Sequence, residues 1–502
     1  MSLNESTVFL QGLLPAFTLN LQATVLASLV VVLASVWIRR LFNEAHSPKD
    51  PPGPGLRWSL VGLLGLSNVR FHYKQTTEWA KQYGSIVGAK VGSVRVVILS
   101  DFEQIKEFFS RPELQYRPLT WGLSRKEKGF AGLNGEEWKA NRDLSARALA
   151  KVGSDGMRRQ IQEEARLLAD ALAAREGRAF ACREYLHRSL VNAVCRFLLG
   201  YRYDLDDPNR RPLDEALAGF KLESATAPVE HRAAWLRRAL LDRLMPSSTS
   251  AKRHRLVTGL NAAVRHLVDV NEATRNGERR ESYIDIYTEK ILSRLVGNLV
   301  DLMMGGATTG TVYLHCHLLN LANRADTLQA QLHREIDTVV GRDRPPAWED
   351  HVHMPLTMAT IWEMFRWKIA TPFNIPRGVA RDTTLGDYHV GKGTVVLPNV
   401  WAVHMNKDDW KDPETFDPSR FLKADGTAQT TKPERLLTFS FGRRNCPGEA
   451  MAIVEMFLYL TTLLQRFRVL PDEAGRVYDI VPCGPSPELL TAKLRFLVRE
   501  QP

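Results

Sequence analysis

Cysteine is scarce in this 502-residue sequence, which has five: Cys182, Cys195, Cys316, Cys446 and Cys483, widely scattered. Such spacing makes no disulfide framework and indicates a reducing compartment for the folded chain. Internal repeats and low-complexity segments are missing. Past residue 60 no long Gly/Ser-rich or single-sign linker divides the chain. We therefore read one large domain, although length alone allows roughly two to four. Zinc-finger spacing, an aromatic-basic RNA motif and a continuous basic helix are also absent. That excludes nucleic acid as the leading partner of a chain of net charge +11 and leaves an anionic membrane surface or an acidic protein. Charge is nearly missing from residues 1–38, where Glu5 stands alone.

What is present begins with that uncharged segment. Leu21 to Ile38 is rich in Leu, Val and Ala, and at 18 residues it is about long enough to span a ~30 Å hydrocarbon core. Arg39, Arg40 and Lys49 follow, which places the main body on the cytoplasmic side. A cleaved signal peptide fits less well, since a basic n-region and a small-residue cleavage site are both lacking. Pro51-Pro52-Gly53-Pro54-Gly55 then reads as a stiff spacer. We take 1–50 as a membrane anchor with its basic flank and 51–502 as the catalytic domain. Hydrophobic residues make up 44% of the chain, enough for a large core. Helical spacing outnumbers strict alternation, so the expected fold is mainly α with small β-sheets. Val87 to Leu99 suggests a short hairpin.

The stretch Phe439-Ser-Phe-Gly442-Arg-Arg444-Asn-Cys446-Pro-Gly448 organises the rest. Glu449 to Phe467 has apolar residues at Ile453, Phe457, Leu460 and Leu464, the spacing of a helix. Cys446 thus precedes a helix N-terminus, where unpaired N–H groups and the dipole favour a thiolate. A thiolate there is a suitable axial ligand for haem iron. A lone cysteine is more often a small buried hydrophobe. The combination Phe439, Gly442, Arg444, Cys446 and Gly448 is more specific. Through it the sequence resembles the cytochrome P-450 family of haem-thiolate monooxygenases. The anchor and proline hinge, and the run from Gly200 to Pro208, resemble its animal microsomal branch.

Trp138 and Arg142 lie four apart on a helix opened by Asn134-Gly135, so they share a face and suit a carboxylate. Trp121/Arg125 and Trp362/Arg366 have the same spacing. The resemblance implies that Trp138 and Arg142 hold a haem propionate, with Lys128, Arg377 and Arg444 as further contacts and Cys446 as the iron ligand. Val296 to Ala322 is a long apolar helix candidate carrying Gly305-Gly306-Ala307-Thr308-Thr309-Gly310. Interior glycines cost about 1 kcal/mol each against alanine, which suggests a ligand against the helix or a local opening. The resemblance implies that this helix crosses above the haem, with Gly306 against the cofactor and Thr309 holding a water or hydroperoxide, but Thr308 stands where an acid is expected. A hydroxyl cannot supply a proton as a carboxyl does. Glu363 and Arg366 share a helix face, and by resemblance they lock with Arg420 of Phe416-Asp-Pro418-Ser-Arg420-Phe421.

The expected activity is insertion of one oxygen atom into a lipophilic molecule of the steroid, fatty-acid, terpenoid or xenobiotic class, with haem b as cofactor. No flavin or nicotinamide motif is present, so electrons must come from another protein; the resemblance implies an NADPH-dependent flavoprotein reductase, with cytochrome b5 as a second candidate donor. Lys432, Arg435, Arg443 and Arg444 cluster near the ligand loop and suit an acidic partner. The implied location is the endoplasmic reticulum membrane. Two alternatives stand beside this reading: a haem-thiolate isomerase or dehydratase of peroxides that needs no reductase, and a non-catalytic haem sensor or carrier. Trp235 to Met245 could touch the membrane or be an ordinary surface helix.

Overall fold

The computed structural model describes residues 49–54, 72–91, 94–118, 129–151, 154–218, 249–273, 283, 292–427, 431–483 and 488–500, with 25, 27–32 and 35. The chain divides into two compact units. One is Met1–Asp50 with Asp387–His389, and the other is Pro51–Gly386 with Val390–Pro502. In the first, the His389 amide donates to the Lys49 carbonyl at 2.6 Å. Among the described residues no helix is long and apolar enough to cross a membrane. The expected span Leu21–Ile38 lies largely outside them, as do Lys128, Trp121/Arg125 and Trp235–Met245.

The second unit is mainly helical, as the apolar spacing predicts. Its helices begin with α1 (His72–Tyr83), α2 (Phe102–Ser110), α3 (Gly135–Lys151), α4 (Ser154–Ala173), α5 (Arg183–Leu199) and α6 (Arg211–Ala218). They continue with α7 (Thr249–Ala273), α8 (Leu292–Ala322), α9 (Leu328–Val339), α10 (Pro355–Trp367), α11 (Val400–His404) and α12 (Glu449–Arg466). The β-branched run Val94–Leu99 forms β2 and pairs antiparallel with β1 (Ile86–Val91), Ile86 opposite Leu99. With β3 (Arg377–Gly378) and β4 (Val395–Pro398) these strands form one sheet of order β1-β2-β4-β3. A further pair, β5 (Phe467–Pro471) and β6 (Leu494–Val498), is antiparallel.

The centre of the unit is α8. Its 31 residues run about 47 Å at 1.5 Å per residue. It packs along α5 and also meets α7, α12 and α10. Leu299, Leu314, Cys316, Leu318, Leu319 and Leu321 are fully buried. Each such leucine is worth roughly 1.5–3 kcal/mol of burial. α12 presents Phe457, Leu460, Leu463 and Leu464, all fully buried, to the same core. Of the two reasons considered for the glycines of α8, the local opening is not seen, for the helix is continuous through them.

Glu363 and Arg366 of α10 are both fully buried and joined by two hydrogen bonds of 2.7 Å. Arg420 reaches Glu363 at 3.4 Å, and the Asp417 amide donates to it at 2.9 Å. Arg366 also donates to the carbonyls of His404 and Pro413. Four chain segments are fixed by one ion network, and Thr438 ties the cysteine loop to it by donating to the Phe365 carbonyl at 2.7 Å. Glu163 and Arg166, which have the same spacing, form an exposed pair on α4.

Candidate active site

Cys446 lies in a loop shaped by its own residues. Its amide donates to the Phe439 carbonyl at 2.9 Å. Ser440 and Gly442 have φ of +61° and +70°. A side chain on Gly442 would run into the Phe109 carbonyl oxygen, so glycine is required there. The Phe439 ring packs edge-on against Phe365, with centroids 5.1 Å apart. Gly448 caps α12, and its N–H lies near enough to the Cys446 sulfur to favour the thiolate. Burial pushes the thiol up, while the Gly448 N–H, Arg142 and Lys432 draw it down; the net direction is up. The expected thiolate preference is therefore outweighed in the protein alone. A bound metal cation displaces a thiol proton outright, so a buried sulfur on a cavity wall still fits iron.

That wall belongs to a cavity of about 590 Å³. Val194, Phe197, Leu198, Leu302, Met304 and Ile375 give it apolar sides. Trp138, Arg142, Gly306, Thr309, Arg377, Phe439, Arg444, Cys446 and Gly448 all line it, so nearly all the site residues expected from sequence meet in one place. Thr308 does not line it; its hydroxyl donates to the Met304 carbonyl. The Thr309 hydroxyl donates to the Gly305 carbonyl. The helix glycines have separate reasons. A side chain on Gly305 would meet nothing, because the cavity lies there. One on Gly306 would come within 2.9 Å of Val194, so that glycine lets α5 approach.

Four guanidiniums converge on the cavity: Arg117, Arg142, Arg377 and Arg444. Burial pushes Arg117 down to about 9 and Arg444 to about 8, with mutual repulsion adding to both. Arg377 is driven well down by burial and by Arg117, Arg444 and Arg142. A guanidinium stays charged in proteins, so the physical meaning is a deficit of negative charge. The four differ in how they are held. Arg444 gives its donors to the carbonyls of Gln115, Phe130 and Leu133. Arg142 donates to the Asn445 carbonyl at 3.1 Å. Arg117 donates to the carbonyls of Ala131, Ile375 and Pro376. Arg377 donates to the Phe441 carbonyl at 3.0 Å, but its Nε and Nη1 are buried with no hydrogen-bond partner. Those orphaned donors beside a buried sulfur fit a large, apolar, dianionic cofactor such as haem.

Sequence reading missed Arg117. It sits in a stretch that reads as an irregular loop, and no spacing links it to Cys446. Asn134, which was noticed, holds it: Asn134 accepts from the Arg117 amide at 2.6 Å and donates to its carbonyl at 2.9 Å. Asp301 and Glu455 also line the cavity unforeseen.

A buried sulfur opposite unanswered positive charge points to the haem-thiolate class. Residues 51–496 match the cytochrome P450 family, and the chain belongs to it. It is 28% identical over 452 residues to human cytochrome P450 2J2, covering 86% of this chain and 88% of that one. It is 29% identical over 477 residues to rat cytochrome P450 2F2, covering 91% and 95%. With human cytochrome P450 2A6 it shares 29% over 484 residues, covering 90% and 93%. The protein is thus a monooxygenase-type oxidoreductase that acts on lipophilic molecules and takes haem b.

Proposed function

We propose that Cys446 is the iron ligand of a monooxygenase whose body, 51–502, is held at the endoplasmic reticulum membrane by residues 1–50. The observation that carries this is the shared cavity: Cys446, the four guanidiniums and Thr309 line the same 590 Å³. When bound, the haem supplies reductive activation of dioxygen. Arg377, whose Nε and Nη1 have no hydrogen-bond partner among the described residues, would hold a propionate, and Arg117, Arg142 and Trp138 line the same cavity. Arg444 keeps Leu133 and Asn134 against the cysteine loop. Phe439 and Gly448 fix the sulfur, and Gly306 lets α5 close on α8 at the cavity wall. The apolar walls take a substrate of the steroid, fatty-acid, terpenoid or xenobiotic class, exclude bulk water and orient a C–H bond. Thr309 holds a proton or water at its hydroxyl on the oxygen side.

Electrons come from an NADPH-dependent flavoprotein reductase, with cytochrome b5 as a second donor. Of the basic residues near the loop, Lys432 is paired with Glu449 and Arg435 with Asp409, whereas Arg443 is exposed. Arg443 therefore leads the docking of an acidic partner. The spectrum of the reduced protein with carbon monoxide tests the reading. A strongly red-shifted Soret band that Cys446→Ala abolishes is expected. Absence of the band from the wild type, or its persistence in the variant, overturns it.

A further inference from the structure

Along one face of α8 the cavity wall is made by Asp301, Gly305, Thr309 and Tyr313, spaced four apart. This stripe runs roughly 18 Å at 1.5 Å per residue. At one end Asp301 accepts from the Ala131 amide at 2.9 Å. The middle is glycine and threonine, which leave room for a ligand. At the other end stands Tyr313, a large ring with a polar tip. The ring lies edge-on to Phe365 with centroids 4.9 Å apart, and only 7% of the residue is exposed. Packing therefore fixes the direction in which the hydroxyl points.

The hydroxyls that share this wall give their protons to the protein. Thr309 donates to the Gly305 carbonyl, Thr371 to Asn374 Oδ1 at 3.0 Å and Thr438 to the Phe365 carbonyl at 2.7 Å. For the Tyr313 proton no acceptor is found among the described residues. Burial pushes the phenol up, and Cys316, Cys483 and Cys446 act in the same direction. The Ala370 N–H lies near enough to the phenol oxygen to draw it down, but burial prevails, so the phenol keeps its proton at neutral pH. A buried O–H without an acceptor costs free energy that a phenylalanine in the same place would not.

The surroundings restrict what can answer that donor. The groups acting on the phenol are one amide and three thiols, with no cation among them. A carboxylate or phosphate would enter this end of the cavity with no charge to meet it. A basic amine would arrive protonated, one donor facing another. A neutral oxygen acceptor meets neither objection. We propose that Tyr313 donates its hydroxyl proton to a neutral oxygen acceptor on the substrate, a ketone, ester or ether carried on an apolar body, and so selects such molecules over hydrocarbons of the same shape. This deepens the monooxygenase reading and rests on it, since the cavity is taken to hold the substrate. The acceptor is held one helical turn from Thr309, and the apolar walls take the rest of the molecule.

The test uses the full-length holoprotein and Tyr313→Phe, which keeps a ring against Phe365. The probes are dicyclohexyl ketone and its alkene isostere, with =CH2 in place of =O. Partition into detergent is common to both proteins, so the ratio of the two dissociation constants, measured by equilibrium dialysis, is compared. The wild type should bind the ketone roughly five- to ten-fold more tightly than the isostere, and Tyr313→Phe should bind the two about equally. Isotope-edited infrared spectra of the ketone on the wild type should show a carbonyl stretch lowered from its position in cyclohexane. In Tyr313→Phe it should return to that position. The wild-type infrared measurement stands alone if Tyr313→Phe does not fold. A wild type that binds the two probes alike or binds neither, an unshifted carbonyl, or a preference that survives in Tyr313→Phe overturns the proposal. The carbon monoxide band does not involve Tyr313, so failure of the monooxygenase reading is seen separately.

Discussion

The Arg444 guanidinium carbon lies 3.8 Å from the centre of the Trp138 ring. Its nitrogens meanwhile donate to the carbonyls of Gln115, Phe130 and Leu133, at 2.6–2.9 Å. Arg444 is therefore a clamp that ties Gln115 and residues 130–134 to the cysteine loop. Lysine cannot copy a planar fork stacked on an indole. Arg444→Lys should leave carbonyls unanswered at about 1–3 kcal/mol each and lower the melting temperature by several degrees. Trp138→Phe keeps a ring under the cation and should cost less. Thermal unfolding of the two holoproteins checks the order, and equal losses would count against the stacked clamp.

Arg377 predicts the opposite balance. Its Nε and Nη1 have no hydrogen-bond partner among the described residues, and three other guanidiniums repel it. Arg377→Met should make the haem-free protein more stable, because it removes a crowded buried charge. The same change should speed haem loss by about ten-fold or more, since a charge-assisted pair to a propionate is lost. Melting of the haem-free protein and haem transfer to an acceptor globin measure the two effects. A less stable haem-free variant would show that Arg377 is already satisfied.

These contrasts explain what could be read without coordinates. The cysteine loop was legible because its restraints are local: Gly442 needs its positive φ, and Phe439 and Cys446 close one short hydrogen-bonded loop. The glycines of α8 were legible as anomalies, since a helix interior gives them no reason of its own. Glu363 and Arg366 were legible as a pair, and their ranking above Glu163 and Arg166 came from family resemblance. Arg117 was not legible, because its place depends on β3 and the Asn134 loop meeting it from distant parts of the chain. Nor was Glu455. On α12 it falls within an otherwise apolar buried stretch, and spacing cannot say whether a carboxyl there faces a cation, a cavity or solvent. The orientation of Thr308 away from the cavity also lay beyond spacing, because the turn of α8 is set by its packing on α5.

Two glycines within the same site should respond differently. Gly442→Ala forces a side chain into the Phe109 carbonyl at a positive φ, and neither neighbour is a flexible side-chain tip. It should abolish haem incorporation. Gly305→Ala meets nothing and improves helix propensity by about 1 kcal/mol, so stability should rise while the cavity shrinks by a methyl group. Haem content, melting temperature and the affinity of a lipophilic spectral ligand separate these outcomes. A Gly442→Ala protein with full haem content would contradict the loop geometry.

Stability should change with pH through several buried groups, and His404 and Glu455 show the two opposite directions. His404 Nε2 accepts the Leu437 amide at 2.9 Å, so the folded imidazole is neutral there. Burial, with Arg366 nearby, holds it down at about 3. An unfolded histidine titrates near 6.5, so below that pH the unfolded chain binds a proton that the fold refuses, and stability drops as pH falls. Glu455 acts in the other direction. Folded, it keeps its proton up to about 8; unfolded, it loses it near the ordinary carboxyl value of 4.5. Between those limits the fold binds more protons than the unfolded chain, so stability declines as pH rises through the window. The whole shift is on the order of 5 kcal/mol. Glu455→Gln removes this alkaline slope and leaves the acid slope of His404 in place. Denaturant midpoints at intervals from pH 5 to 9 should therefore diverge, the variant gaining on the wild type as pH rises and levelling off above about 8. Parallel curves would mean that Glu455 is ionised in the fold, with a cation or water answering it.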